Sequence, residues 1–94
     1  DRACVTYLRL TDLRAFDEAA ALIKLVRERG NRLRKPRSAP LGGGLFELRG
    51  EQVRIFYVFR PGHRIVLLDG MVKKRNDIPH DVLERVRQLQ KEVR

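Results

Sequence analysis

Between Leu45 and Lys74, LFELRGEQVRIFYVFRPGHRIVLLDGMVKK, three short apolar runs rich in β-branched and aromatic residues are broken at Gly50-Glu51 and at Pro61-Gly62. That pattern predicts a three-stranded antiparallel meander. A two-residue turn at Gly50-Glu51 would set Leu48 opposite Val53, Glu47 opposite Arg54 and Phe46 opposite Ile55. A second turn of two or four residues around Pro61-Gly62 would set Tyr57 opposite Val66 and Arg54 opposite Asp69. Alternation then gives one face Phe46, Leu48, Val53, Ile55 and Tyr57, almost wholly apolar. The other face takes Glu47, Arg49, Arg54, Phe56, Val58, Ile65, Leu67, Asp69 and Met71, with Lys73 following if the strand continues that far. Cations among apolar side chains suit a recognition surface; the bland reading is a solvated salt-bridge ladder of Glu47, Arg54 and Asp69.

Helical periodicity appears twice. Phe16, Ala19, Ala20, Ile23 and Val26 share one side of a run from Leu13 to Arg29, preceded by the N-cap candidates Thr11 and Asp12 and closed by Gly30. Val82, Val86, Leu89 and Val93 form a narrower stripe on a second helix that starts near Pro79. Ahead of the first helix, Val5, Leu8 and Leu10 read as the apolar side of a short helix, with an extended segment as the alternative. Residues 31–44, NRLRKPRSAPLGGG, have the composition of a loop. The two long helices supply apolar surface to cover the first face of the sheet. The expected fold is therefore α+β, with an antiparallel sheet packed on one face by helices and open on the other.

Ninety-four residues fit a single domain, 1–94. The chain begins at Asp1 rather than Met, which suggests that its true start is missing. No apolar run approaches the ~20 residues of a membrane span, and no signal-peptide pattern stands at the start, so a cytoplasmic, membrane-free protein is expected. One cysteine, Cys4, cannot form an internal disulfide, and with only His63 and His80 beside it no zinc set is expected.

Charge changes the picture more. Twenty-one Lys and Arg against 12 Asp and Glu leave a formal charge of +9, which favours a polyanionic partner, nucleic acid first and an acidic protein second. The densest basic tract, Arg32, Arg34, Lys35 and Arg37, is a candidate contact for RNA phosphates, against the alternative of a solvated loop. Gly42-Gly43-Gly44 does not form a P-loop, since the GxxxxGK[ST] pattern is missing.

Ser38, the sole serine, has no histidine or acid near it in sequence, which argues against a hydrolytic triad. Carboxylates are scattered and do not converge on a metal. Cations do converge: Arg49, Arg54 and Lys73, with Lys74 and Arg75 just beyond. Such a set suits cleavage of RNA by its own 2′-hydroxyl, where the protein stabilises phosphorane charge and moves two protons without supplying a nucleophile or a cofactor.

The succession PLGGGLFELR, VRIFYVF and RIVLLDGMVKKRNDIP with a closing helix resembles the phage-derived HigB-like branch of the RelE/ParE toxins of bacterial type II toxin-antitoxin systems, over roughly residues 12 to 92. Its most specific parts are L-x-E-L-R at 45–49, R-I-F-Y at 54–57 and V-K-K at 72–74. The resemblance implies a RelE-like microbial RNase fold with an N-terminal strand, a helical hairpin, the three-strand meander and a C-terminal helix. It implies a metal-independent, ribosome-dependent mRNA endoribonuclease that is held in check by a cognate antitoxin, a helix-turn-helix protein. By position, Arg49 and Arg54 would bind the scissile phosphate, and Lys73 and Lys74 would serve phosphate binding or proton transfer. Tyr57 would serve acid/base or stacking work, although its parity sets it on the helix-covered face. Arg75 would add RNA contact. Two departures stand out: the first strand is expected to be missing unless it precedes Asp1, and Ile78 precedes Pro79 where relatives often carry a capping Thr. A ParE-like gyrase-binding toxin and a non-catalytic basic nucleic-acid-binding module are the alternatives.

Overall fold

The computed structural model describes residues 3–6, 13–62, 64–72 and 78–93, with side chains from residue 17 onward. Five strands form one sheet in the order β1-β5-β4-β3-β2: β1 (Ala3–Thr6), β2 (Ser38–Gly42), β3 (Leu45–Arg49), β4 (Val53–Arg60) and β5 (Arg64–Val72). Helix α1 spans Leu13–Arg29 and helix α2 spans His80–Glu92. A 3-10 turn, Gly30–Arg32, follows α1 and begins with the left-handed Gly30. Thr11 and Asp12 lie outside the described residues, as does the side chain of Phe16.

The meander β3-β4-β5 is antiparallel as the sequence predicts, and β2 extends it antiparallel beyond β3. Two segments differ from expectation. Ala3–Thr6 is a strand parallel to β5, not a helix, so the N-terminal strand expected to be missing is present. Ser38–Gly42, expected to be loop, pairs with β3 as an edge strand. A single edge strand hydrogen-bonds on one side only, and its proline and glycines hide it from propensity reading. The glycines have their own role. Gly42, Gly43 and Gly44 carry φ of +92°, +63° and +80° in the β2-β3 connection, a run of left-handed residues that side chains disfavour.

Register explains a larger correction. The β3-β4 turn aligns Arg49 with Arg54 and Phe46 with Tyr57, two residues from the expected pairing, so face assignment survives. The β4-β5 connection spans three residues, 61–63, because Arg60 pairs with Arg64. An odd loop inverts parity: Ile65 and Leu67 join Ile55 and Tyr57 on the first face, while Val66 and Leu68 join Phe56 and Val58 on the second. A bulge between Phe56 and Tyr57 then restores the expected side for Asp69 and Met71.

The second face is consequently apolar at its centre. Leu45, Phe56, Val58, Val66 and Leu68 lie there, each at most 4% exposed. Leaving five such side chains in water would forgo about 7–15 kcal/mol, as much as the stability of a small domain. Helix α2 covers them with Val82, Val86 and Leu89, joined by Val93 just after its end, and α1 covers the first face with Ala19, Leu22 and Val26. The α+β class holds, but the helices occupy opposite faces, not one. The runs IFYV and IVLL are buried on both sides, as near-continuous apolar strands should be.

Candidate active site

The β3-β4 turn closes with Gly50 N–H donating to Val53 O at 2.9 Å, which brings Arg49 and Arg54 directly opposite each other. Glu47 precedes Arg49 by two residues and so shares its face. Ala39 of β2 and Phe56 of β4 flank Glu47 in the sheet, and the glutamate side chain is only 4% exposed. Arg49 Nε donates to Glu47 Oε1 at 2.6 Å, and Arg54 Nε stands 3.8 Å from the same oxygen. One buried carboxylate thus serves two guanidiniums, leaving a net positive charge.

The two arginines are held differently. Arg54 Nη1 donates to Gly50 O at 2.6 Å and to Val53 O at 3.1 Å, and its side chain is 13% exposed. It is fixed to the turn. Arg49 is 41% exposed and makes one side-chain bond among the described residues, so its outer edge faces solvent. A fixed and a solvent-facing guanidinium side by side can take a phosphate through charge-assisted hydrogen bonds. The turn itself is braced from the first face, where Glu18 Oε1 of α1 accepts from Gln52 N at 2.8 Å and Val53 N at 2.7 Å.

Tyr57 does not join this pair. It lies on the opposite face, 1% exposed, with its hydroxyl 2.6 Å from Ser38 Oγ. Burial raises its pKa above the ordinary tyrosine value, while the Ser38 bond pulls the other way. Arg34 and Lys35 lie at a cavity on that same first face, Arg37 borders a smaller cavity beside Gly50, and Arg32 is exposed at the end of the 3-10 turn. Lys73, Lys74, Arg75 and His63 lie outside the described residues. His80 is exposed at the start of α2, 3.6 Å from Glu84. Sequence reasoning missed the burial of Glu47, because the strand β2 beside it was read as loop. It also missed the bond between Ser38 and Tyr57.

A model of the family described as Phage derived protein Gp49-like (DUF891) matches residues 6–91. The chain belongs to the Gp49-like family. The phage-derived description agrees with the resemblance that the LFELR, RIFY and VKK motifs carry, and the α+β architecture holds the N-terminal strand, the meander and the C-terminal helix which that resemblance implies. No curated protein matches the Gp49-like chain. Among solved structures it is similar to a chain of the toxin-antitoxin complex RelBE2 from Mycobacterium tuberculosis, at 19% identity and a TM-score of 0.38, over 73% of this chain and 96% of that one. Among its described residues, no group of three or more His, Cys, Asp and Glu could hold a metal, and no helix is long and apolar enough to cross a membrane.

Proposed function

We propose that this Gp49-like protein is the toxin of a type II toxin-antitoxin pair and cleaves mRNA on the ribosome without a metal. The observation that supports this most is the Arg49–Glu47–Arg54 cluster, two guanidiniums set opposite each other on a turn by a buried carboxylate. In the reaction, the RNA 2′-oxygen bonds to phosphorus, the bond to the 5′-oxygen breaks, the 2′-hydroxyl proton leaves and the 5′-oxygen gains one. Negative charge builds on the phosphorane, where fixed cations contribute most. Arg54, anchored to the turn, is the preset stabiliser. Arg49 exchanges part of its Glu47 contact for phosphate. Glu47 is a positioning residue that keeps like charges together, and Lys73 and Lys74 are proposed for phosphate binding or proton transfer. The partners in this reading are ribosome-bound mRNA and a cognate helix-turn-helix antitoxin, and the location is the cytoplasm.

Expression without the antitoxin should arrest growth, and 5′-end mapping should find new mRNA breaks in codon register that vanish in Arg54→Ala. Arrest with intact transcripts and accumulating DNA breaks would point instead to a gyrase-directed toxin. Absence of arrest would favour a non-catalytic binding module.

A further inference from the structure

On the face away from Arg49 and Arg54, a cavity of about 600 Å³ opens between the segment after α1 and strands β2 to β4. Its size suits a small-molecule or nucleotide moiety. Phe46, Tyr57 and Phe59 line it, with ring centroids 5.3–5.5 Å apart; Phe46 stacks on Tyr57, and Phe59 meets both edge-on. Farther along the same face Leu48 and Ile55 are fully sealed, but Phe46 and Phe59 are only half-buried. The helix cover stops short: α1 ends at Arg29, and the chain departs through the 3-10 turn.

Two features give this opening a chemistry. Arg34 and Lys35 are exposed at its border, and among the described residues no carboxylate lines it. At its buried side, Ser38 and Tyr57 carry two hydroxyl hydrogens, of which their mutual bond uses one. Aromatic faces, cations and a buried pair of hydroxyls match a base with its adjoining phosphate.

We propose that this cavity binds a base of single-stranded RNA, which stacks on Phe46 and Phe59 while Arg34 and Lys35 take the neighbouring phosphate. The choice of RNA rests on the function proposed above; the site itself is separate from the arginine pair and lies on the other side of the sheet. An RNA engaged at both would pass around a sheet edge.

The test compares binding of a labelled 2′-O-methyl hexaribonucleotide, which cannot be cleaved, with that of an abasic hexamer of equal charge. The wild-type chain should prefer the base-bearing oligomer about tenfold, since stacking on an aromatic side chain contributes on that order. Phe59→Leu should remove most of that preference, and Lys35→Ala should weaken both oligomers alike. A 5-iodouridine hexamer should photocrosslink within the tryptic segments 38–49 or 55–64, which covers the case of a poorly folded variant. Equal binding of the two oligomers, a preference that persists in Phe59→Leu, or crosslinks confined to other segments would overturn the proposal. So would displacement by an acidic apolar peptide from a site that shows no base preference. Loss of cleavage in Arg54→Ala with an intact Phe59-dependent preference separates the two sites. If the preference fails while cleavage stands, only the present proposal falls.

Discussion

Glu47 and Tyr57 show how one strand position decides a residue's part. Both sit in the sheet interior, yet Glu47 shares its face with Arg49 and Arg54, whereas Tyr57 faces α1. A carboxylate at 4% exposure is tolerable only because two guanidiniums compensate its lost hydration. Tyr57 is compensated by Ser38 alone, and burial dominates, so its neutral form is favoured in the folded state. A pKa raised on folding means that the folded chain holds its proton over a range where the unfolded chain has lost it. The contribution is intact below ~pH 10 and lost as pH rises through the folded value. Tyr57→Phe should therefore flatten the loss of stability above ~pH 10, while costing about 1 kcal/mol at neutral pH for the missing bond to Ser38. Urea unfolding midpoints across the alkaline range check both signs.

At the scale of elements, the β3-β4 hairpin depends on α1. Glu18 reaches across to bind two backbone N–H groups of the turn, and Gly50 leaves room for it: a Cβ at residue 50 would stand 2.1 Å from Glu18 Oε1. Gly50→Ala must push the carboxylate away and disturb the carbonyl that anchors Arg54. It should destabilise the chain by about 2–3 kcal/mol, the worth of hydrogen bonds to a charged acceptor, and Glu18→Ala should lose a similar amount with the turn's shape kept. Urea unfolding of both variants measures this. The sequence revealed the three central strands, both helices and the side on which Arg49, Arg54 and Tyr57 lie, since two-residue alternation is local. It did not reveal the three-residue loop at 61–63, because Pro61-Gly62 permits several loop lengths and parity depends on whether the count is odd. From that one residue followed the misplacement of Ile65 to Leu68 and of α2. The edge strand β2 was missed, and β1 stood only as the alternative to a short helix, for a related reason: each relies on a distant partner, β3 or β5, and not on its own pattern.

As a whole, the molecule is a sheet clamped between two helices, with its cations gathered outside both cores. Helix α2 is fastened by Arg85 to Asp69 at 2.7 Å and by Arg87 and Gln90 to the carbonyls of Leu41, Gly42 and Gly43. The second face is therefore no open platform. Among the described residues, its open cationic part is the end that carries the β3-β4 turn, which centres the proposed chemistry on Arg49, Arg54 and whatever follows Val72. A net charge of +9 attracts polyanions in general; in the proposed reaction the arginine pair must select one phosphodiester. The product ends distinguish these roles. Purified protein and ribosome-programmed mRNA should yield fragments ending in a 2′,3′-cyclic phosphate, with the rate lowered about 100-fold or more in Arg54→Ala, on the scale of losing a charge-stabilising donor. Intact mRNA under those conditions, or fragments ending in a 3′-hydroxyl, would contradict the account.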